Sequence, residues 1–408
     1  MISVGDALAC VIDATPRLGT ERVSLAGALG RVAAEAVQSV RAVPNAANSA
    51  MDGYALRHTD AARPGARLRV VGVVPAGTVR TEPVVAGTAV KIFTGSAVPP
   101  GADAVVKVED TEEQGGVVTV AIAVPLGNNI RNAGEDVAPG QEVLAPGAVI
   151  GPADVGVLAS VGRATVVVHR RPRVTILSTG SELVEVDEPI GPGQVVNSNA
   201  YALAAAVREA GGEPIVLPIV RDDPAAVRAG LAQAMLGDVV LSSGGVSVGD
   251  FDFVKEALDE ARVERLFWKV AQKPGKPLTF GRLGERLFFG LPGNPVSALV
   301  CFYVYVRPAL RKLAGHARLH LPVVEARLAV ATRKAAELTE FVRVRLSDGP
   351  DGLVATPASS QSSGVLTGLG AGAALLVGPA AERQLAAGQR YPVILVDPEA
   401  LARAVPPV

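Results

Sequence analysis

RVTILSTG, residues Arg173 to Gly180, is an unbroken apolar run that ends in a polar, glycine-bearing loop. Such a run, too short for a helix and rich in β-branched residues, predicts a strand buried on both faces. NAYALAAAVREAGG follows, with helical spacing and terminal glycines, and then PIVLPIV, a second apolar run. The alternation continues through helical DDPAAVRAGLAQAML, strand DVVLSSGG and helical DFVKEALDEA. ERLFWKV and RLFFGLPG read as strands, and NPVSALVCFYVYVRPALRKLAG as a long closing helix. Strands alternating with helices predict a mainly parallel sheet covered on both faces, with ligands outside the carboxyl ends of the strands. This central α/β domain is expected over residues 171–318.

On either side the texture changes. Ser3 to Asp13 has helical spacing, and a second helical stretch is expected around Ser24 to Val37. The runs LRVVGVV, TAVKIF and GVVTVAIAV, separated by Gly and Pro, predict a β-rich domain over residues 50–128. Helical character returns in GPADVGVLASVG, so the β-rich domain reads as an insertion into a discontinuous N-terminal domain of residues 1–49 and 129–170. VVEARLAVA, FVRVRL, GLVATP, ALLVG and YPVILV predict a C-terminal β-barrel or sandwich over residues 319–408.

Bulk properties narrow the function. With 408 residues the chain exceeds one compact core, and with 49% hydrophobic and 19% charged residues it has the composition of a globular protein. A formal charge of −1 argues against a general nucleic-acid binder, which needs a basic face to displace counterions. The two cysteines are far apart and the four histidines form no ligand-spaced cluster, so neither a disulfide framework nor a zinc site is expected. The start MISVGDALAC is unlike a secretory leader and no segment is apolar enough to span a membrane, which makes the cytoplasm the expected compartment.

Four expected strand-end loops carry the chemistry. STGSELV contributes Glu182. SSGGVSVGDFDF contributes Gly244, Gly245, Ser247 and Asp252 before a helix, a glycine-rich approach and helix N-terminus that suit a phosphate; plain turn chemistry is the competing reading. Neither a P-loop nor a dinucleotide fingerprint is present. KVAQKPGKPLTF places Lys269, Lys273 and Lys276 within one short loop of a chain that has only eight lysines, with prolines restraining the backbone between two of them. Lysine offers a compact charge to an oxyanion; a solvated basic turn is the alternative. LPGNPVS puts Pro292, Asn294 and Pro295 on the same rim, with Asn294 as a natural helix cap. Glu182, Asp222 and Asp252 each follow an expected strand and together could hold Mg²⁺ through hard oxygen ligands. RDDP also makes capping a serious role for Asp222, and the expected sole role of Asp223.

The ordered set SAMDGYA, FTGSAVPPGADAVV, RNAGED, STGSEL, SSGGVSVGDFD, KPGKP and LPGNPVS resembles the MoeA family of molybdopterin molybdenumtransferases, which is related to the C-terminal domain of gephyrin, and the resemblance covers nearly the whole chain. It implies a MogA-like α/β domain, an inserted β-rich domain and a C-terminal β-barrel. It also implies an Mg²⁺-dependent transferase of molybdenum cofactor biosynthesis that takes adenylylated molybdopterin and molybdate and releases AMP. Carried over residue by residue, it makes Lys273 and Lys276 anion binders with Lys269 in support, and Glu182, Asp222 and Asp252 active-site acids. Gly244, Gly245 and Ser247 would receive the pterin nucleotide, and Asp52, Thr94 and Arg131 would be functional positions of the N-terminal half. Arg343 and Ser363 would meet molybdate. The family is a homodimer whose cleft the partner's β-rich domain completes, and other molybdenum cofactor biosynthesis proteins are implied partners. Two departures lie in the last domain, where AGAALLVGP lacks the usual asparagine and QSSG stands for Gln-Gly-Ser-Gly. In SAMDGYA the Asp-Gly pair has turn formation as its competing reading. Competing functions are a molybdopterin adenylyltransferase, which shares the α/β fold, and a gephyrin-like scaffold without enzymatic activity.

Overall fold

The computed structural model describes residues 1–244 and 253–401. The chain forms two compact units, Met1–Glu21 with His169–Val408, and Arg22–Val168.

In the first unit a six-stranded sheet runs in the order Glu213–Val216, Arg173–Ser178, Val239–Ser243, Arg286–Leu291, Thr279–Leu283, Glu264–Trp268. The first four strands are parallel, and Thr279–Leu283 runs antiparallel to both of its neighbours. RVTILS is buried from Val174 to Ser178, as its continuous apolar character requires. The strand Thr279–Leu283, hidden behind the lysine loop in the sequence, forms a hairpin with Arg286–Leu291; Gly284 supplies the positive φ of +60° that its two-residue turn needs. Helices Ser198–Glu209 and Pro295–Cys301 pack one face of the sheet, and Pro224–Ala234 and Phe253–Glu260 the other. The expected long closing helix is interrupted by one π-helical turn, Phe302–Val306, before it resumes as Arg307–Leu313.

Helix Val4–Ala14 starts where expected, with Ser3 accepting from the Asp6 N–H as its cap. Its buried Ala7 and Val11 join the core of the α/β sheet, so the compact units divide the chain elsewhere than an N-terminal domain of residues 1–49 would. The C-terminal strands Thr339–Gly349, Gly352–Pro357, Val323–Leu328, Arg390–Leu395 and Ala373–Gly378 form a ring that the pairing of the first with the last closes into a five-stranded barrel. Closure leaves no exposed sheet edge around the ring.

In the second unit six strands between Gly53 and Val120 form one sheet. Ala28, Ala33 and Val37 share a core cluster with Leu144, Ile150, Leu158, Val166 and Val168 from the far side of that sheet in sequence. The expected helix at Ser24 to Val37 is corrected: only the short 3-10 turn Leu25–Gly27 forms. Gly30 takes φ +74°, and Val32 and Ala33 make bridges to Val149 and Val168, so tertiary pairing overrides the alanine-rich helical pattern.

Candidate active site

The chain leaves strand Arg173–Ser178 for the neighbouring Glu213–Val216 and then returns on the opposite side as Val239–Ser243. The switch point therefore lies beyond Ser178 and Ser243, where α/β sheets bind ligands. A cleft of about 510 Å³ opens there, lined by Thr179, Glu182, Asn197, Asn199, Gly244 and Pro277 and by Pro292 to Pro295. Gly244 has φ +91°, and a Cβ on it would sit 2.6 Å from the Thr179 carbonyl oxygen, so only glycine lets these two strand ends approach. The Asn199 Nδ2 donates both to Ser243 Oγ at 2.8 Å and to the Gly293 carbonyl at 2.8 Å, which ties two loops to the start of helix Ser198–Glu209. Asn197 Oδ1 accepts from Ser178 Oγ at 3.0 Å.

Thr179 Oγ1, Asn197 Nδ2 and Asn199 Oδ1 are buried and lack a hydrogen-bond partner among the described residues. Unpaired polar atoms lining a cleft call for a ligand or water to complete them. Asn197 and Asn199 escape sequence reasoning because NSN at a helix start reads as an ordinary cap, and the doubled asparagine is the signal that could have found them; Thr179 lies in the STGSELV loop, where Glu182 drew the reading instead.

The acidic rim comes next along the chain. A Cβ on Gly180, whose φ is +153°, would meet the Glu182 carboxylate at 2.6 Å, so this glycine allows Glu182 to fold back over the loop. Asp222 Oδ2 accepts from the Ser181 N–H at 2.9 Å, and the Asp222 N–H donates to Ser181 Oγ at 3.1 Å. Asp222 is thus a clip between two loops, while Asp223 caps helix Pro224–Ala234 through the Ala226 N–H. Gly245, Ser247 and Asp252 lie outside the described residues. Among the described residues no three His, Cys, Asp or Glu side chains gather as metal ligands. Asn294 caps helix Pro295–Cys301 through its backbone carbonyl, and its side chain makes no cap hydrogen bond.

The three lysines have different environments. Lys269 has φ +66°, and its ammonium sits 4.1 Å from the Trp268 ring centroid. Lys273 reaches Glu340 at 3.1 Å, and Glu340 is 5% exposed. Lys276 is exposed and has no ion-pair partner among the described residues. The first half of their loop is pinned twice: Ile2 bridges Lys269 and Ala271, and Lys273 pairs with Glu340 on a barrel strand.

Arg343 organises a loop of the barrel. It is 1% exposed, and its guanidinium donates to the carbonyls of Val365 (2.9 Å), Ser360 (2.9 Å) and Ser362 (3.0 Å). Burial also lowers its pKa. The loop it holds carries Ser363, whose carbonyl accepts from the Val296 N–H at 3.1 Å, beside the cleft-lining Pro295.

Asp52, Thr94 and Arg131 lie in the other unit. Asp52 Oδ1 accepts from the Thr94 N–H at 2.8 Å and from Thr94 Oγ1 at 2.9 Å, and these bonds, the backbone one first, hold its carboxyl below the usual range. Arg131 lies on a two-residue strand opposite Asn48. Gly53 is not a turn residue: it sits in a strand, and a Cβ on it would fall 1.8 Å from the Val106 carbonyl oxygen.

Three family models match in chain order: the MoeA N-terminal region (domain I and II) at residues 2–162, a probable molybdopterin binding domain at 175–312, and the MoeA C-terminal region (domain IV) at 325–396. A molybdopterin molybdenumtransferase of Nostoc is 40% identical over 79% of this chain and 77% of its own length. That of Bacillus subtilis is 34% identical over 93% and 90%. The crystal structure of a molybdopterin biosynthesis MoeA protein from Pyrococcus horikoshii superposes with a TM-score of 0.82 at 31% identity, covering 97% of this chain and 99% of that one. By matches that span its length, by its fold and by the cleft at its switch point, the chain belongs to the MoeA family.

Proposed function

We propose that this chain is a molybdopterin molybdenumtransferase, which takes adenylylated molybdopterin and molybdate, releases AMP and leaves molybdenum on the dithiolene sulfurs. The observation that carries the reading is one cleft lined both by Thr179, Asn197 and Asn199, each with a polar atom that has no partner among the described residues, and by Pro277 of the lysine loop. A nucleotide of a polar heterocycle supplies donors and acceptors to the first set, and an oxyanion supplies the charge that Lys276 faces. Gly244 lets the phosphates approach the backbone closely.

Glu182 and Asp222, hard oxygen donors on loops joined through Ser181, would hold Mg²⁺ together with Asp252. When bound, that ion neutralises phosphate charge. The protein's own groups do the rest. The asparagines orient the nucleotide, the lysine loop holds the oxyanion, and Ser363 lies on a loop fixed by Arg343 next to the cleft. We take the working form to be a cytoplasmic homodimer that exchanges its pterin with other proteins of the same biosynthesis.

The test is AMP release from adenylylated molybdopterin, followed by chromatography with and without molybdate and with and without chelator. Release that requires molybdate and falls with chelator is expected. Formation of adenylylated molybdopterin from ATP by the chain alone would place it with the adenylyltransferases instead.

A further inference from the structure

Gln272 is fully buried, yet it is a primary amide. Its Nε2 donates to the carbonyls of Pro274 (3.1 Å) and Gly275 (3.3 Å) and lies 3.4 Å from Cys301 Sγ, while its Oε1 accepts from the Tyr305 hydroxyl. Burial raises the pKa of the Tyr305 phenol and so keeps it a donor, which fixes the amide with its oxygen toward Tyr305 and its nitrogen toward the loop. Tyr305 comes from the π-helical turn Phe302–Val306, a wider turn of the kind that re-aims a side chain. Gly275 completes the fit: its φ is +92°, and a Cβ there would lie 2.5 Å from Cys301 Sγ and 2.7 Å from Gln272 Nε2.

Burying an amide is costly unless its bonds are made, and an apolar side chain would fill this core without them. Apart from Tyr305 and Cys301, the partners of this amide are the backbone between Lys273 and Lys276. We propose that Gln272, oriented by Tyr305, is the positioning residue of the lysine loop, setting the direction in which Lys276 meets its oxyanion. The proposal rests on the reading of that loop as the molybdate holder.

The experiment compares Gln272→Leu, Tyr305→Phe and the double variant by thermal melting, by molybdate KM against pterin-nucleotide KM in AMP release, and by equilibrium dialysis of molybdate without nucleotide. Gln272→Leu leaves the Tyr305 hydroxyl unpaired, so it melts lower and weakens molybdate by about tenfold, with the nucleotide KM unchanged. The double variant removes the stranded hydroxyl but still leaves the Pro274 and Gly275 carbonyls without their donor, so it regains part of its melting temperature and keeps the weakened molybdate binding. Recovery of molybdate binding together with stability, or an equal rise in both KM values, overturns the positioning role. If the wild type releases no AMP, the transferase reading fails while dialysis still decides the clamp; a wild type that holds no molybdate in dialysis overturns the clamp as well.

Discussion

The loop of Lys276 and the loop held by Arg343 are both marked by basic residues, and the structure uses the two charges in opposite ways. At the lysine loop the cation is exposed and the buried group is a neutral amide, Gln272, which holds the backbone beneath it. At the second loop the cation itself is buried, and three carbonyls consume its donors. A guanidinium carries several donors in a rigid fork and can serve as scaffold, whereas an ammonium on a restrained turn remains available as a charge. Basic residue type therefore does not separate function from architecture; burial and the nature of the partners do.

The largest expected effect follows from that contrast. Arg343→Ala leaves three carbonyls without their donor and should destabilise the fold by about 3 kcal/mol or more, read by denaturant unfolding. Arg343→Lys should recover little, because one ammonium cannot reproduce the fork. A variant that unfolds like the wild type yet fails to bind molybdate would invert the comparison.

A third basic residue sharpens it. His316 is buried, with the Arg311 guanidinium 3.0 Å from its Nδ1, and burial first, then Arg311 and Arg307, lowers its pKa from 6.5 to about 4. The folded state thus prefers the neutral ring. The stability tied to it is complete above 6.5 and is lost as pH falls from there toward 4, by about 1 kcal/mol over the first unit. His316→Asn should flatten that acid loss in melting curves taken between these values; an unchanged slope would show that His316 does not carry it.

The parallel core was legible because RVTILS and DVVLSS are buried on both faces and show it as continuous apolar runs. The barrel strands were legible as runs between glycine turns. Ser24 to Val37 misled because alanine-rich composition reports intrinsic helix propensity, and the bridges of Val32 and Ala33 are set by residues far along the chain. Thr279–Leu283 was missed because the proline-bounded lysine motif drew the reading away from the Gly284 hairpin. In the site, Lys273, Lys276, Glu182 and Asp222 stood out as charges after strands. Gln272 and Glu340 did not, since a lone Gln and a lone Glu have no local signature, and their partners Tyr305 and Lys273 lie many residues away.

The most direct test of the account is molybdate-dependent AMP release by Lys276→Ala, with a thermal melt of the same preparation. An exposed lysine contributes about half a kcal/mol or less to stability, so the melt should match the wild type. Loss of a charge-assisted bond to the oxyanion should weaken molybdate by roughly tenfold or more. Wild-type AMP release at limiting molybdate would contradict the account, because the one lysine of the loop left without a carboxylate or ring partner among the described residues would then be doing nothing for the anion.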